Sequence, residues 1–486
     1  MRSDRRSSLL ILVLLLVVLT AAAQDVSLRP CRTRAASVRH RAPLLSQHSR
    51  KPAAVFQGDR RQLVVLASFS DQAFAVASPV SMWNPIFNEE GYHEGSYCGS
   101  VHDYFYDQSY GKLNLSFDLY HTPLSQPRTR YRSTSKDDEN SQYLVQDIVD
   151  QLALQPIDWS QYDWDADGYV DQLLIIYAGM GQNDGGGAYS IWPHQWWLSE
   201  HVDPDTQKPC QPRTVTGTDG KTYTIDAYCA VQERGNNRGS FGTICHEYTH
   251  CFGFPDFYSS GSSYVRQWDL MDYGNNNGNG YRPCGYSAHE RWLMGWLTPT
   301  ELTAETAVAS MVALADGGEA YLIRNDGHAD EYYIVENRQQ TGWDSALPGS
   351  GLLVFHIDYD EAVWTGIDVM PNPGKDNRYT LFHANNSQST SLTSGWAYPY
   401  KDNDALTNTS SPAATLIHKN ADGTLLMSKP ITEMALSDGL ASFKFMGGET
   451  AIRDIRQKES PSVLYNLGPV SIIRCADGQV RKVRRF

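Results

Sequence analysis

The sequence predicts a mixed α/β unit followed by an all-β unit. Three observations carry that prediction. Between residues 62 and 300, short apolar runs alternate with helical periodicities, the pattern of helices layered on a mixed sheet. After about residue 300 the helical signals fade, and short β-prone runs recur between Gly, Asn and Pro. The 486 residues are 41% hydrophobic and only 20% charged, a globular composition. At about 150 residues per domain, that length has room for roughly three units.

The elements follow in order. Residues 63–67 (LVVLA) form a continuous apolar run and read as a buried strand. Residues 100–110 are aromatic-rich and helical, stopped by Gly111, and 112–120 alternate as a strand does. Over 141–154, Leu144, Val145, Ile148, Val149 and Leu152 share one helical face. Residues 173–177 are a second buried strand, and a Gly-rich loop occupies 179–187. Between 208 and 233 a hairpin is expected, turning at Asp219-Gly220. A two-residue turn there sets Cys210 opposite Cys229, within disulfide range. Beyond 300, the runs 320–323, 332–336 and 352–358 are the clearest strands of a sandwich-like β-unit.

Charge is unevenly distributed. Residues 1–62 hold twelve Lys or Arg against three Asp or Glu, a net +9, leaving −23 for the rest of a chain of net −14. The leader begins as a signal peptide: Arg2, Arg5 and Arg6, an apolar stretch over 9–19, then Ala21-Ala22-Ala23. The expected organisation is a signal at 1–23 and a basic propeptide or N-terminal arm at 24–60. An α/β unit at 61–300, a β-rich unit at 301–450 and a short tail at 451–486 follow. A mean hydropathy of −0.45 excludes a polytopic membrane protein, and no integral membrane segment is expected once the signal is removed. The acidic body argues against nucleic acid as a partner. The expected location is secreted, cell-surface or periplasmic. Export permits disulfides. Of eight Cys, Cys31 lies in the leader, so the mature body keeps an odd number with at least one thiol unpaired.

The chemistry concentrates in 240–258, SFGTICHEYTHCFGFPDFY. His246 and His250 are four residues apart and share one helical face, so both imidazoles can reach one cation. Glu247 projects toward the same cleft and can take a proton from an activated water. Imidazole ligands in a hydrolytic arrangement favour zinc, whose catalytic sites use three protein ligands and an open position. Gly253 permits a sharp turn after the helix, which lets Asp256 return as the third ligand. The long pattern H-E-x-x-H-x-x-G-x-x-D is far more specific than its first half.

This run resembles the extended zinc motif of the metzincin metalloproteases, in the variant with Asp as third ligand. More closely, the chain resembles the immune-inhibitor-A-like secreted bacterial metalloproteases. GSVHDYFYDQSYGKLNL (99–115), DWDADGYVD (163–171), IWPHQWW (191–197), WDLMDYG (268–274), YYIVENRQQTGWD (332–344) and GSGLLVFHIDYD (349–360) carry the likeness beyond the motif. It spans roughly residues 60 to 400 by motif matching. The resemblance implies a metzincin-like α/β catalytic domain with a mixed sheet and an active-site helix. Met271 matches the Met of the turn beneath the metal, and Tyr273 matches a position that in some metzincins is a Tyr able to stabilise the oxyanion. It also implies that the strand ending near Glu233 is an edge strand, to which an extended protein or peptide substrate adds.

Other expectations concern regulation and a second ion. Asp163, Asp165, Asp167 and Asp171, with the Tyr169 carbonyl and the bend at Gly168, suit a structural Ca²⁺. The twelfth position is Leu174 rather than Glu, so the loop is not a full EF-hand. The propeptide is expected to act as the enzyme's own inhibitor, with Cys31 as a latency candidate because a thiolate is a good zinc ligand; Asp25 could serve instead. Cleavage could follow Arg50, Lys51, Arg60 or Arg61. His194, Cys245 and Cys251 read as packed structural groups, and His356 and Asp358 as the polar face of a strand. The reading is a secreted zinc endopeptidase made as a zymogen. Its rivals are a catalytically silent exported binding protein or adhesin, and another zinc hydrolase such as an amidase.

Overall fold

The computed structural model describes residues 53–132, 140–187, 190–259, 262–366 and 370–447, together with the backbone of 462–467, 470–474 and 480–484. The expected signal, most of the basic arm, and Asp25, Cys31, Arg50 and Lys51 lie outside the described residues.

The first sheet grows from the apolar run at 63–67. Its strands are β1 (Gly58–Ser68), β2 (Leu113–Pro123), β3 (Leu173–Met180), β4 (His194–Trp197) and β7 (Ala227–Arg234). β5 (Arg213–Thr216) and β6 (Thr222–Ile225) form a separate hairpin. The sheet order is β2-β1-β3-β7-β4. The pairs β1–β2, β1–β3 and β3–β7 are parallel, and β4 is antiparallel to β7. Leu63 to Ala67 and Leu173 to Ala178 are wholly buried, as strands covered on both faces must be. The helices are α1 (Pro79–Asn88), α2 (Val101–Gln108), α3 (Ser141–Leu152) and α4 (Phe241–His250). Ser100 caps α2 with a capping box completed by Asp103. The five apolar residues expected on one face of α3 are all buried.

Three sequence expectations shift. Regular structure begins before Gln62: a 3-10 turn at Ala53–Phe56 buries Phe56 against Phe252, ring centroids 5.1 Å apart, and β1 starts at Gly58. The hairpin turns where expected, but through five residues, since Thr216 pairs with Thr222. That moves the register by one, and Cys229 instead lies in β7 opposite Gln195. Cys210 and Cys229 are both free thiols, so the disulfide is not formed. The strand ending near Glu233 is not an edge strand, because β7 is paired on both sides; β4 is the edge.

Past α4 come β8 (Tyr258–Ser259), β9 (Ser262–Ser263), the kinked turn α5 (Asn277–Gly280) and α6 (Ala288–Leu293). Then two sheets take over. One has the order β10-β12-β13-β14-β15, from β10 (Thr300–Glu301), β12 (Tyr321–Asn325), β13 (His328–Arg338), β14 (Gly351–Asp358) and β15 (Tyr379–Leu381). The other has the order β11-β17-β16, from β11 (Thr306–Met311), β16 (Ile431–Ser437) and β17 (Leu440–Phe445). A short helix, α7 (Glu361–Trp364), follows β14. The tail backbone forms an antiparallel meander of β18 (Ser462–Leu467), β19 (Val470–Arg474) and β20 (Val480–Arg484).

The β10-β12-β13-β14-β15 sheet divides its residues by the two-residue period. Leu322, Ile334, Leu353, Phe355 and Ile357 join the core of the first sheet. Ile323, Tyr333, Val335, Leu352 and Val354 instead pack with Met311, Met434, Phe443 and Phe445 of the three-stranded sheet. Among the described residues, no helix is long and apolar enough to cross a membrane.

Candidate active site

α4 leaves β7 through a short loop and runs beneath the sheet, every residue from Phe241 to His250 buried. Its last turn carries His246, Glu247 and His250, whose ligand-type atoms lie within 4.8 Å of one another. Gly253, at φ +83°, adopts a left-handed conformation that an L side chain resists, and its N–H donates to the His250 carbonyl. The chain thereby doubles back. Asp256 Oδ1 comes to 3.1 Å from His246 Nε2 and 3.4 Å from His250 Nε2.

Backbone carbonyls aim both imidazoles. His246 Nδ1 lies 2.8 Å from the Leu270 carbonyl, and His250 Nδ1 lies 2.7 Å from that of Phe254. A carbonyl can only accept, so each Nδ1 carries a proton and each Nε2 is the nitrogen that faces Asp256, where a bound metal would take its lone pair. His246 Nε2 is buried with no hydrogen bond. Two imidazoles and a carboxylate at this spacing fit a tetrahedral zinc, whose bonds of about 2.0–2.1 Å set ligand atoms roughly 3.3 Å apart. Burial opposes charge on His246, but Asp256 and Glu247 outweigh it and lift its pKa to about 9. The cluster thus attracts a positive charge.

The turn at Met271 lies against this cluster. Met271 is fully buried, and its N–H donates to Asp269 Oδ1 at 2.8 Å. Leu270 holds His246, while the Met271 carbonyl accepts from the N–H of Phe257, next to Asp256. Two consecutive carbonyls of one turn therefore position the first ligand and the neighbour of the third.

Residues 80–295 match the family described as immune inhibitor A peptidase M6, catalytic domain. Residues 80–295 are thus similar to an M6 peptidase catalytic domain. Pre-pro-metalloprotease PrtV of Vibrio cholerae serotype O1 is 26% identical over 225 residues, 39% of this chain and 24% of its own length. Immune inhibitor A of Bacillus thuringiensis subsp. alesti is 28% identical over 145 residues, 26% of this chain and 18% of its own length. The chain thus aligns with well under half of each relative.

Around the His246–Asp256 motif, the other expected residues divide. Tyr273 is buried, its ring stacked on Tyr258 at 5.7 Å and beneath the Arg266 guanidinium at 5.0 Å. Tyr258 in turn stacks on His246 at 6.4 Å, so an aromatic chain links Tyr273 to the first ligand. Sequence reasoning did not single out Tyr258, although it closes the same motif. In the acidic loop, Asp163, Asp165 and Asp171 come together, while Asp167 Oδ1 accepts the Tyr169 N–H. Asp163 accepts the N–H groups of Asp167 and Gly168, which bends the loop around it. His194 is held by Tyr228 and the Trp192 carbonyl, a structural arrangement. Cys251 donates to the Glu247 carbonyl, and Cys245 is a buried thiol.

A longer connection was invisible in the sequence. Asp269 Oδ2 accepts from the Tyr379 hydroxyl at 2.8 Å, and that hydroxyl also meets Ser287 Oγ at 3.0 Å. β15 thus touches the Met271 turn directly. No local pattern announces a contact between residues so far apart in the chain.

Proposed function

We propose that this protein is a secreted zinc endopeptidase. The carrying observation is the convergence of His246 Nε2, His250 Nε2 and Asp256 Oδ1 beside Glu247 within an M6 peptidase domain. His246, His250 and Asp256 would hold the ion. A bound zinc supplies a Lewis acid for the scissile carbonyl and makes water more acidic. Glu247, buried against the two imidazoles, accepts the proton of the attacking water and delivers it to the leaving amine. Tyr273 donates a hydrogen bond to the developing oxyanion.

Substrate binds extended along β4, the outermost strand on that side of the first sheet. β4 packs beside α4, so a peptide there runs past the ligands. Asp163, Asp165 and Asp171 hold a structural Ca²⁺, with the Tyr169 carbonyl and Asp167 completing the loop. Residues 1–23 direct export, and the basic segment that follows restrains the acidic body, with Cys31 as the candidate ligand to zinc.

The test compares casein digestion by the processed protein with that by a Glu247→Ala variant of equal zinc content. Activity in the first, abolished by chelation and lost in the second, is the expected result. Equal activity in both would remove Glu247 from the mechanism. Zinc binding without digestion by either would remove the endopeptidase assignment.

A further inference from the structure

We propose that the β10-β12-β13-β14-β15 sheet carries a second transition-metal site, formed by His328, Asp358 and His418. His328 opens β13, Asp358 closes β14, and His418 comes from the loop before β16. Their ligand-type atoms lie within 4.8 Å of one another. Asp358 Oδ1 is 3.1 Å from His418 Nε2 and 3.8 Å from His328 Nε2. This repeats the geometry of the M6 site, where one carboxylate oxygen sits 3.1 and 3.4 Å from two Nε2 atoms. Both sets bracket the roughly 3.3 Å between ligand atoms around a tetrahedral zinc.

The surroundings orient these groups as a metal site requires. Asp358 is buried, and its second oxygen receives Arg378 Nη1 at 2.6 Å, which turns Oδ1 toward the two imidazoles. Glu331, fully buried and directly opposite Asp358 in the β13–β14 ladder, accepts the His418 backbone N–H at 3.0 Å and the Asn325 side chain at 2.9 Å. It thereby fastens the His418 loop to the turn that precedes His328. That turn lies close on the loop: a Cβ on Gly327 would meet the Lys419 carbonyl at 2.2 Å. The two imidazole rings are 4.0 Å apart at 34°. Two protonated rings so close would repel, whereas two neutral rings can share one cation. Their side chains are 40% and 41% exposed, which leaves the outer side of the site open to water or a fourth ligand. Two imidazoles and one carboxylate select zinc or a similar borderline ion over Ca²⁺ or Mg²⁺.

The test measures zinc retained by the full chain after dialysis against Zn²⁺. Wild type is expected to keep one more zinc than a His328→Ala/His418→Ala variant. A His246→Ala/His250→Ala variant is expected to keep the ion that the first variant loses, so failure at either site is seen separately. Equal zinc in wild type and the His328/His418 variant would overturn the proposal. Should the variants misfold, carbethoxylation of wild type by diethyl pyrocarbonate, read by mass spectrometry, serves instead. Zinc is expected to protect His328 and His418 at least several-fold, and unchanged modification would overturn the site.

Discussion

At His246 and His250 the decisive atoms are main-chain oxygens, which no residue identity records. The Leu270 and Phe254 carbonyls choose the tautomer of each ring, and Asp256 meets what remains. Tyr273→Phe is expected to lower kcat on the order of 10²-fold with little change in KM, as for loss of an oxyanion donor. Unchanged kcat would leave the residue a packing role against Tyr258. A second residue-scale prediction concerns Arg338, fully buried and paired twice with Asp344 at 2.7 Å and once with Glu336 at 3.1 Å. Arg338→Met leaves two carboxylates without their cation, and it is expected to destabilise the fold by about 3–5 kcal/mol in denaturant titration. A loss below about 1 kcal/mol would mean the carboxylates find other partners or take up protons. The conspicuous motif YYIVENRQQTGWD is accordingly a structural lock, because Glu336, Arg338 and Asp344 all belong to it and Arg338 also grips the Gly285 carbonyl.

Between elements, the Met271 turn and β15 meet at one hydrogen bond, from Tyr379 to Asp269. Burial raises the Asp269 carboxyl from 3.8 to about 7, against the opposing pull of its hydrogen bonds. The folded state then keeps a proton that the unfolded chain has released. Stability should decline as pH rises from 3.8 through 7 and level off above that range. Asp269→Asn retains an acceptor for the Met271 N–H and removes the titration. Its unfolding free energy is expected to vary less than wild type between about pH 5 and pH 8, as checked by denaturant unfolding at each. An identical slope in both proteins would place the titration elsewhere. The edge of the first sheet is another element-scale result. Continuous apolar runs announce strands buried on both faces, and β1, β3 and β7 are such strands. The short β4, rich in Trp, gave no strand signal, yet it is the antiparallel edge.

Across the whole molecule, the start of the folded body bears on maturation. Arg60 and Arg61 were expected as possible cleavage points, but both lie in β1, and Arg61 pairs with Asp118 of β2. Arg60 Nε donates to the Val55 carbonyl, and Trp296 donates to that of Phe56. A cut after Arg61 would detach this packed turn and the first residues of a paired strand. The mature N-terminus is therefore expected at or before Ala53, after Arg50 or Lys51, and N-terminal sequencing of the active form checks it. A mature chain starting at Gln62 would mean that β1 survives without its first residues. The sheets beyond residue 300 share this integration, since alternate residues of β13 and β14 belong to two different cores.

Local chemistry in the chain was enough for the α/β alternation, the place of α2 and the buried face of α3, the turn at Gly253 and the grouping of His246, Glu247, His250 and Asp256. Each depends on residues within a few turns of one another, where periodicity and φ preference act directly. The hairpin register, the edge at β4, the free Cys210 and Cys229, the carbonyls of the Met271 turn and the meeting of His328, Asp358 and His418 came from folding. These depend on which strands become neighbours and how loops lie upon them. Burial of apolar faces sets those choices, and burial is a property of the whole chain rather than of any short stretch of it.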